Sequence, residues 1–196
     1  SLPIRPNPLI PTFIAIKIIP EKKLLGIFST LKKSLASEII NWVASNNLHL
    51  TLRFLGETSR DQVADIVKML ESVAEHFQPF QFELKGVAGF KNKIQPRVLF
   101  LSVENDFRLK QLATEIEEKI ISLGFSHGER AFNSHLTLGR IKFIQNKDAF
   151  YSLVNKFKNT YMQQVTVSEI IFYQSILGSD APTYNPIKII KFNNSK

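Results

Sequence analysis

The chain has 196 residues and no cysteine, which excludes disulfide bonds, a thiol nucleophile and any metal site with cysteine ligands. Its 25 lysine and arginine residues against 17 aspartate and glutamate residues give a formal net charge of +8, which favours polyanionic partners such as nucleic acid unless the lysines form only a solvated surface. No apolar segment reaches the ~20 residues that span a bilayer, and the N-terminal residues lack the pattern of a signal peptide, so we expect a cytoplasmic globular protein.

Seven segments have the length and the β-branched or alternating composition of β-strands. In chain order they are 12–19, 48–55, 80–84, 97–103, 135–141, 165–172 and 187–192. Four further segments place apolar residues at helical spacing, and each follows a residue suited to begin a helix. Those residues are Pro20, Ser59 (with Gln62 as a capping-box partner), Asn105 and Asn146. Gly124 has the position of a glycine that ends the third helix.

The order of these elements indicates the fold class. Several strands are followed directly by another strand, without a helix between them. Parallel strands need a long crossover, whereas antiparallel strands can be joined by a short turn. The sequence therefore predicts an α+β protein with antiparallel or mixed sheets. No segment resembles a linker, so residues 1–196 are expected to form a single domain.

One tetrapeptide, His-Leu-Thr-Leu, occurs twice, at 49–52 and at 135–138. Side chains alternate between the two faces of a strand, so the histidine and threonine of each copy share one face and the leucines share the other. Each strand would bury its leucines in a core and present an imidazole and a hydroxyl to a polar site. Two such strands on facing lobes would bring two His–Thr pairs together across a cleft.

Paired imidazoles are suited to acid–base catalysis, because the ordinary pKa of histidine is about 6.5. The hydroxyls of Thr51 and Thr137 could donate hydrogen bonds to phosphate oxygens, and a basic neighbour would offset the phosphate charge. Together, the two histidines, His49 and His135, and the two threonines predict phosphoryl chemistry without a metal or a covalent intermediate. A zinc site is less well supported, because the pattern supplies no third ligand. A single His-x-Thr is usually an ordinary half-buried pair, so the hypothesis depends on the repeat.

The two motifs and their flanks resemble the 2H phosphoesterase superfamily and, within it, the RNA 2′,3′-cyclic phosphodiesterases, also called 2′-5′ RNA ligases. The resembling segments are 13–16 with Pro20, 47–56, 96–100, 130–140 and 184–187. One departure is Ser134, where the family usually has proline. The resemblance implies a bilobal fold of two pseudo-repeated lobes, with two sheets facing across a groove and helices on the outer faces.

The resemblance also implies an activity, which is to open a 2′,3′-cyclic phosphate at an RNA end and leave a 2′-phosphate, with no cofactor. In the related ligase activity, an RNA with a 5′-hydroxyl replaces water as the attacking group. By similarity, His49 is the general acid on the departing 3′ oxygen and His135 is the general base on water. Thr51 and Thr137 would then hold the phosphoryl oxygens. We expect a monomer whose partner is RNA and which has no membrane partner.

Three arginines and one phenylalanine are further candidates. Alternation puts Arg53 on the face of the first histidine, where it would either bind phosphate or face solvent. Arg140 matches an arginine that the family uses near substrate, but alternation puts it on the opposite face unless Gly139 forms a bulge. Arg130 would either line the groove or brace the loop before its strand. Phe13 would either stack on a terminal base or pack in the core.

Two other functions remain open at this point. The first is a non-catalytic protein that binds RNA ends in the same groove. Retention of both histidines argues against it, because binding needs hydrogen-bond donors but not two proton carriers. The second is a phosphodiesterase for another small cyclic or 2′-5′-linked phosphodiester. Turnover of a 2′,3′-cyclic nucleotide would separate the binder from the enzyme, and product analysis across such substrates would test the second function.

Overall fold

The computed structural model describes residues 8–91, 96–128 and 132–193. Over these ranges the chain forms nine β-strands, four α-helices and one turn of 3-10 helix. The strands are β1 (Ile10–Lys17), β2 (Ile39–Trp42), β3 (His49–Thr58), β4 (Phe80–Lys91), β5 (Pro96–Glu104), β6 (His135–Phe143), β7 (Tyr161–Val167), β8 (Glu169–Ile176) and β9 (Thr183–Lys191). The helices are α1 (Lys22–Ser34), α2 (Arg60–Glu75), α3 (Phe107–Ser122) and α4 (Lys147–Lys156), and the 3-10 turn is Ser45–Asn47. Among the helices of these ranges, none combines the length and apolar character that crossing a membrane requires.

The strands form two sheets in which all neighbours are antiparallel. The four-stranded sheet has the order β3-β1-β8-β9, and the five-stranded sheet has the order β2-β6-β5-β4-β7. Helices α2 and α3 pack on the four-stranded sheet, whereas α1 and α4 pack on the five-stranded sheet. The predicted α+β class with two sheets is confirmed. Each sheet contains one copy of the repeated tetrapeptide, in β3 and in β6.

Both sheets contribute to one hydrophobic core. The four leucines of the two repeats are at most 6% exposed, and they belong to the same cluster as the apolar faces of all four helices. These leucines are Leu50, Leu52, Leu136 and Leu138. Full burial of a leucine side chain stabilises a fold by about 1.5–3 kcal/mol. The leucines therefore fix which face of β3 and β6 points away from the core.

Two of the predicted helix caps form with the expected hydrogen bonds. The capping box of Ser59 and Gln62 at the start of α2 has both of its bonds. At the start of α4, the side chain of Asn146 accepts a hydrogen bond from the Ala149 amide at 3.0 Å. Both caps satisfy backbone amides that have no partner within their helix.

The other two helices begin one or two residues later than predicted. Helix α1 has Glu21 at its N-cap, directly after Pro20. The prediction that Asn105 caps the third helix is wrong, because Asp106 occupies the N-cap position. Asn105 instead has a φ of 58°, a left-handed conformation that asparagine tolerates better than most residues.

The prediction of one strand over 165–172 is also wrong. The chain leaves the five-stranded sheet at the end of β7, passes through Ser168 and enters the four-stranded sheet as β8. A continuous run of β-branched and aromatic residues cannot show that its two halves pair with different neighbours. The short edge strand β2 was not predicted, and it matters for the site because it pairs with β6.

Candidate active site

The two copies of the repeat lie on strands that approach each other from different sheets. In each copy the histidine and threonine are half-buried, whereas the leucines between and after them are buried. The structure therefore places His49 with Thr51 on one face of β3, and His135 with Thr137 on one face of β6. We call the space between these two faces the groove. Alternation predicted this part of the site correctly.

Each histidine is held by the backbone two residues before it. The Nδ1–H of His49 donates a hydrogen bond to the carbonyl oxygen of Asn47 at 2.7 Å. The imidazole of His135 is hydrogen-bonded to the backbone of Asn133. Because the ring of His49 uses Nδ1 in this way, its Nε2 remains for chemistry. The shared asparagine extends the repeat to Asn-x-His-Leu-Thr-Leu, a signal that the tetrapeptide alone does not contain.

Aromatic rings pack against both imidazoles. The ring of His49 lies 5.3 Å from Phe13 and 5.0 Å from Tyr184, measured between centroids. The ring of His135 lies 5.1 Å from Phe100, edge to face. Phe13 is only 2% exposed and stacks on Tyr173, so it has no free face for a nucleotide base. The structure therefore supports the packing alternative for Phe13, whose ring also contacts that of His49.

The pKa values of both histidines lie below the ordinary value. For His49 the largest cause is burial, which lowers the pKa; the hydrogen bond to Asn47 raises it in part, and the positive charge of Arg140 lowers it further. The pKa of His135 is lowered by burial, raised in part by the hydrogen bond to Asn133 and lowered by the same Arg140 charge. One guanidinium therefore acts on both imidazoles. Neutral rings are favoured until a negatively charged ligand enters the groove.

A bulge in β6 brings Arg140 to the groove. Thr137 pairs with Phe100, whereas Gly139 pairs with the adjacent residue Leu99, so β6 contains one additional residue at this point. The additional residue reverses the alternation and moves Arg140 to the face of the histidine and threonine. The bulge that would place Arg140 on the groove face is therefore present.

Glycine is needed at the bulge because β2 approaches closely. A Cβ atom at Gly139 would lie 2.8 Å from Cγ2 of Ile40 and 3.2 Å from Cε3 of Trp42. A side chain at this position would therefore require the side chains of Ile40 and Trp42 to shift. The glycine before Arg140 is thus packed against a strand that is distant in the sequence.

A corresponding bulge in β3 takes Arg53 away from the groove. Thr51 pairs with Ala15, whereas Arg53 pairs with the adjacent Ile14, whose side chain belongs to the core. The prediction that Arg53 shares the face of His49 is therefore wrong. Its Nε donates to Oε2 of Glu117 on α3 at 2.5 Å, and its other nitrogens donate to the carbonyls of Phe54 and Ser126. The side chain is 12% exposed and ties β3 to α3.

The bulge gives the groove a residue that sequence reasoning missed. Phe54 pairs with Phe13 and lies on the groove face, where it is 61% exposed. When the two repeats are aligned, Phe54 corresponds to Arg140, so the two sheets contribute an aromatic ring and a guanidinium at equivalent positions.

Arg130, another predicted groove residue, lies outside the described residues. In the part of the chain that is described, no group of three or more histidine, aspartate or glutamate side chains could hold a metal ion.

Comparisons with known proteins agree with this architecture. The sequence profile of the LigT-like phosphoesterases matches residues 16–100 and again residues 101–184. The chain therefore belongs to the LigT-like phosphoesterase family. It is similar to proteins named RNA 2′,3′-cyclic phosphodiesterase from Aeropyrum pernix, at 33% identity over 88% of this chain and 98% of the relative, and from Thermotoga maritima, at 33% identity over 92% and 95%.

Two solved structures show the same fold. One is TT0787 of Thermus thermophilus, with a TM-score of 0.76 and 21% identity over 93% of this chain and 98% of the other. The other is E. coli LigT complexed with phosphate, with a TM-score of 0.63 and 22% identity over 95% of this chain and 99% of the other. Because these identities are low, the likeness concerns the fold alone.

Proposed function

We propose that this phosphoesterase hydrolyses the 2′,3′-cyclic phosphate at RNA ends and leaves a 2′-phosphate. The observation that carries the proposal is the pair of His–Thr faces across the groove, with one guanidinium acting on both imidazoles. The similar proteins from Aeropyrum pernix and Thermotoga maritima are named for this activity. The formal charge of +8 suits an RNA substrate.

In the proposed reaction, Nε2 of His135 takes a proton from water as the water oxygen attacks phosphorus. The bond from phosphorus to the 3′ oxygen breaks, and Nε2–H of His49 gives its proton to that oxygen. The products are a 3′-hydroxyl and a 2′-phosphate, and the two histidines have exchanged protonation states. Solvent exchange returns each histidine to its starting form.

The other groove residues stabilise the charge of the reacting phosphate. The hydroxyls of Thr51 and Thr137 donate hydrogen bonds to its non-bridging oxygens, and the Arg140 guanidinium offsets the negative charge that grows on them. Binding of the phosphate also raises the pKa of the imidazole that must be protonated, because its negative charge opposes the effect of Arg140. The imidazoles of the free groove are therefore mostly neutral, and binding of the phosphate favours the protonated form that acts as the acid.

The same site would support 2′-5′ ligation. A 5′-hydroxyl takes the place of water on the His135 side, and the 3′ oxygen leaves as before. The cyclic phosphate retains the energy of the original bond, so the exchange of one phosphodiester for another needs no nucleoside triphosphate. We propose this as a second reaction of the same groove, with an RNA that bears a 5′-hydroxyl as co-substrate.

Product analysis tests the proposed function. We expect a short RNA with a 2′,3′-cyclic phosphate to be converted to the 2′-phosphate, identified against synthetic 2′- and 3′-phosphate standards, at the same rate with and without a chelator. Tight binding without turnover would instead indicate an RNA-end binder, and a 3′-phosphate product would show that the other ester bond breaks. Loss of activity in chelator with recovery on adding a divalent ion would contradict the two-histidine mechanism.

The pH dependence of hydrolysis should report the charge of Arg140. Since the free enzyme's histidine pKa values are lowered, both limbs of the kcat/KM profile are expected on the acid side of about pH 6.5. Arg140→Gln removes a cation that lowers both pKa values, so both limbs should move to higher pH. Arg108→Gln, which removes an equal charge from the exposed surface of α3, should leave the limbs in place. Unmoved limbs in Arg140→Gln would contradict this account.

A further inference from the structure

A pocket of about 410 Å³ opens beside His49, at one end of the groove. It is bounded by the end of β1, by the 3-10 turn before β3, by β8 and by the start of β9. The residues that give it its chemical character are Lys17, Asn46, His49, Tyr173, Thr183 and Tyr184. None of these residues carries negative charge.

Two polar side chains of the pocket are available to a ligand. Lys17 and Asn46 are exposed, and no ion pair or hydrogen bond engages either side chain among the described residues. Asn47 has a structural role, since its side-chain amide donates to the carbonyl of Pro182 at 3.4 Å and connects the 3-10 turn to the loop before β9. Aromatic walls with one amide and one cation suit a nucleoside that carries a phosphate.

The position of the pocket relative to His49 restricts which nucleoside it can hold. Lys17 pairs with His49 across β1 and β3, so both side chains lie on the groove face of neighbouring strands. The Tyr184 ring contacts the His49 ring edge to face, with 5.0 Å between centroids. A ligand in the pocket would therefore share a wall with the imidazole of His49.

We propose that this pocket holds the terminal nucleoside of the RNA, the one whose ribose carries the cyclic phosphate. Lys17 Nζ binds the 5′-phosphate that links this nucleoside to the rest of the chain, and the Asn46 amide hydrogen-bonds an edge of the base. The inference rests on the proposed function. It also gives a structural reason for the two catalytic roles, because the departing 3′ oxygen then lies on the His49 side and the attacking group enters from the His135 side.

Two small substrates distinguish the contact with the 5′-phosphate from the contacts with the nucleoside. Adenosine 2′,3′-cyclic phosphate contains only the terminal nucleoside, and the same compound with a 5′-phosphate adds the group assigned to Lys17. Lys17→Gln is expected to raise KM about tenfold for the 5′-phosphorylated substrate at low salt, the effect of losing one charge-assisted contact, and to leave KM for the other substrate unchanged. Lys33→Gln, on the exposed surface of α1, is the matched control and should alter neither.

Asn46→Ala should raise KM equally for both substrates and leave kcat unchanged, because the base is common to both. Equal effects of Lys17→Gln on the two substrates, or no effect of either variant, would overturn the inference. Unchanged hydrolysis with weakened ligation to a 5′-hydroxyl RNA would also overturn it, by showing that the pocket holds the incoming strand.

The result for the wild type keeps this inference distinct from the proposed function. Turnover by the wild type tests the function, whereas the pattern among the variants tests the pocket. Calorimetry with adenosine 2′-phosphate and adenosine 2′,5′-bisphosphate repeats the comparison by binding alone. A wild-type preference for the bisphosphate that Lys17→Gln removes is expected even for a protein without turnover, and its absence would contradict the assignment of Lys17.

Discussion

Replacing His49 or His135 by alanine is expected to lower kcat for cyclic phosphate hydrolysis about 10²–10⁴-fold, because each imidazole moves one proton in the same transition state. The double variant should be little slower than either single variant, since groups that act as a unit give non-additive losses. Steady-state hydrolysis of adenosine 2′,3′-cyclic phosphate measures all three. Near-normal activity of either single variant would contradict the two-histidine mechanism.

Two controls separate lost chemistry from lost structure. His49 packs against Phe13 and Tyr184, so His49→Ala opens a space in a buried aromatic cluster. His49→Gln fills more of that space without a titratable group, and it should be as inactive as His49→Ala. His76→Ala removes an exposed imidazole paired with Glu115 at the end of α2, and it should retain full activity.

The predictable part of the site is the part that local alternation determines. His49 and Thr51 share a face because Leu50 and Leu52 belong to the core, and that information is contained in four consecutive residues. The same pattern places His135 and Thr137. Helix starts at Ser59 and Asn146 were predictable for a related reason, because a capping side chain and its amide partner are three residues apart.

The arginines could not be placed in this way, because each lies just beyond a bulge. Alternation assigns Arg53 to the groove and Arg140 to the opposite face, and the register of the strands reverses both assignments. Gly139, which lies at the bulge, packs closely against Ile40 and Trp42, about a hundred residues earlier in the chain. The local sequence does not reveal this contact. The glycine directly before Arg140 indicates only where the alternation of side chains between the two faces of the strand can change.

The two alternatives for Phe13 could not be separated from the sequence for a different reason. A phenylalanine in an apolar strand has the same local pattern whether it faces a ligand or a second layer of side chains. The outcome was decided by β8, which brings Tyr173 against the ring, and by β9, which brings Tyr184 to both Phe13 and His49. Both strands lie far from Phe13 in the sequence. The exposed ring on the groove face is Phe54, which the second bulge turns outward.

A leaving group that needs no proton should separate the roles of the two histidines. In a cyclic substrate whose bridging 3′ oxygen is replaced by sulfur, the departing group is a thiolate, and thiols have pKa values of only about 8.5. This substrate should restore His49→Ala to within about tenfold of the wild type, because protonation of the departing atom is the task that His49 performs. It should restore little to His135→Ala, whose missing task is activation of water.

The pH profiles of the same reactions provide an independent reading. Wild type with the oxygen substrate should give a bell whose limbs belong to the coupled pair of imidazoles. In His49→Ala with the sulfur substrate, the falling limb at high pH should disappear, because that limb reports loss of the acid's proton. Rescue of His135→Ala instead would keep the histidine pair but reverse the roles, and the nucleoside pocket beside His49 would then adjoin the attacking group.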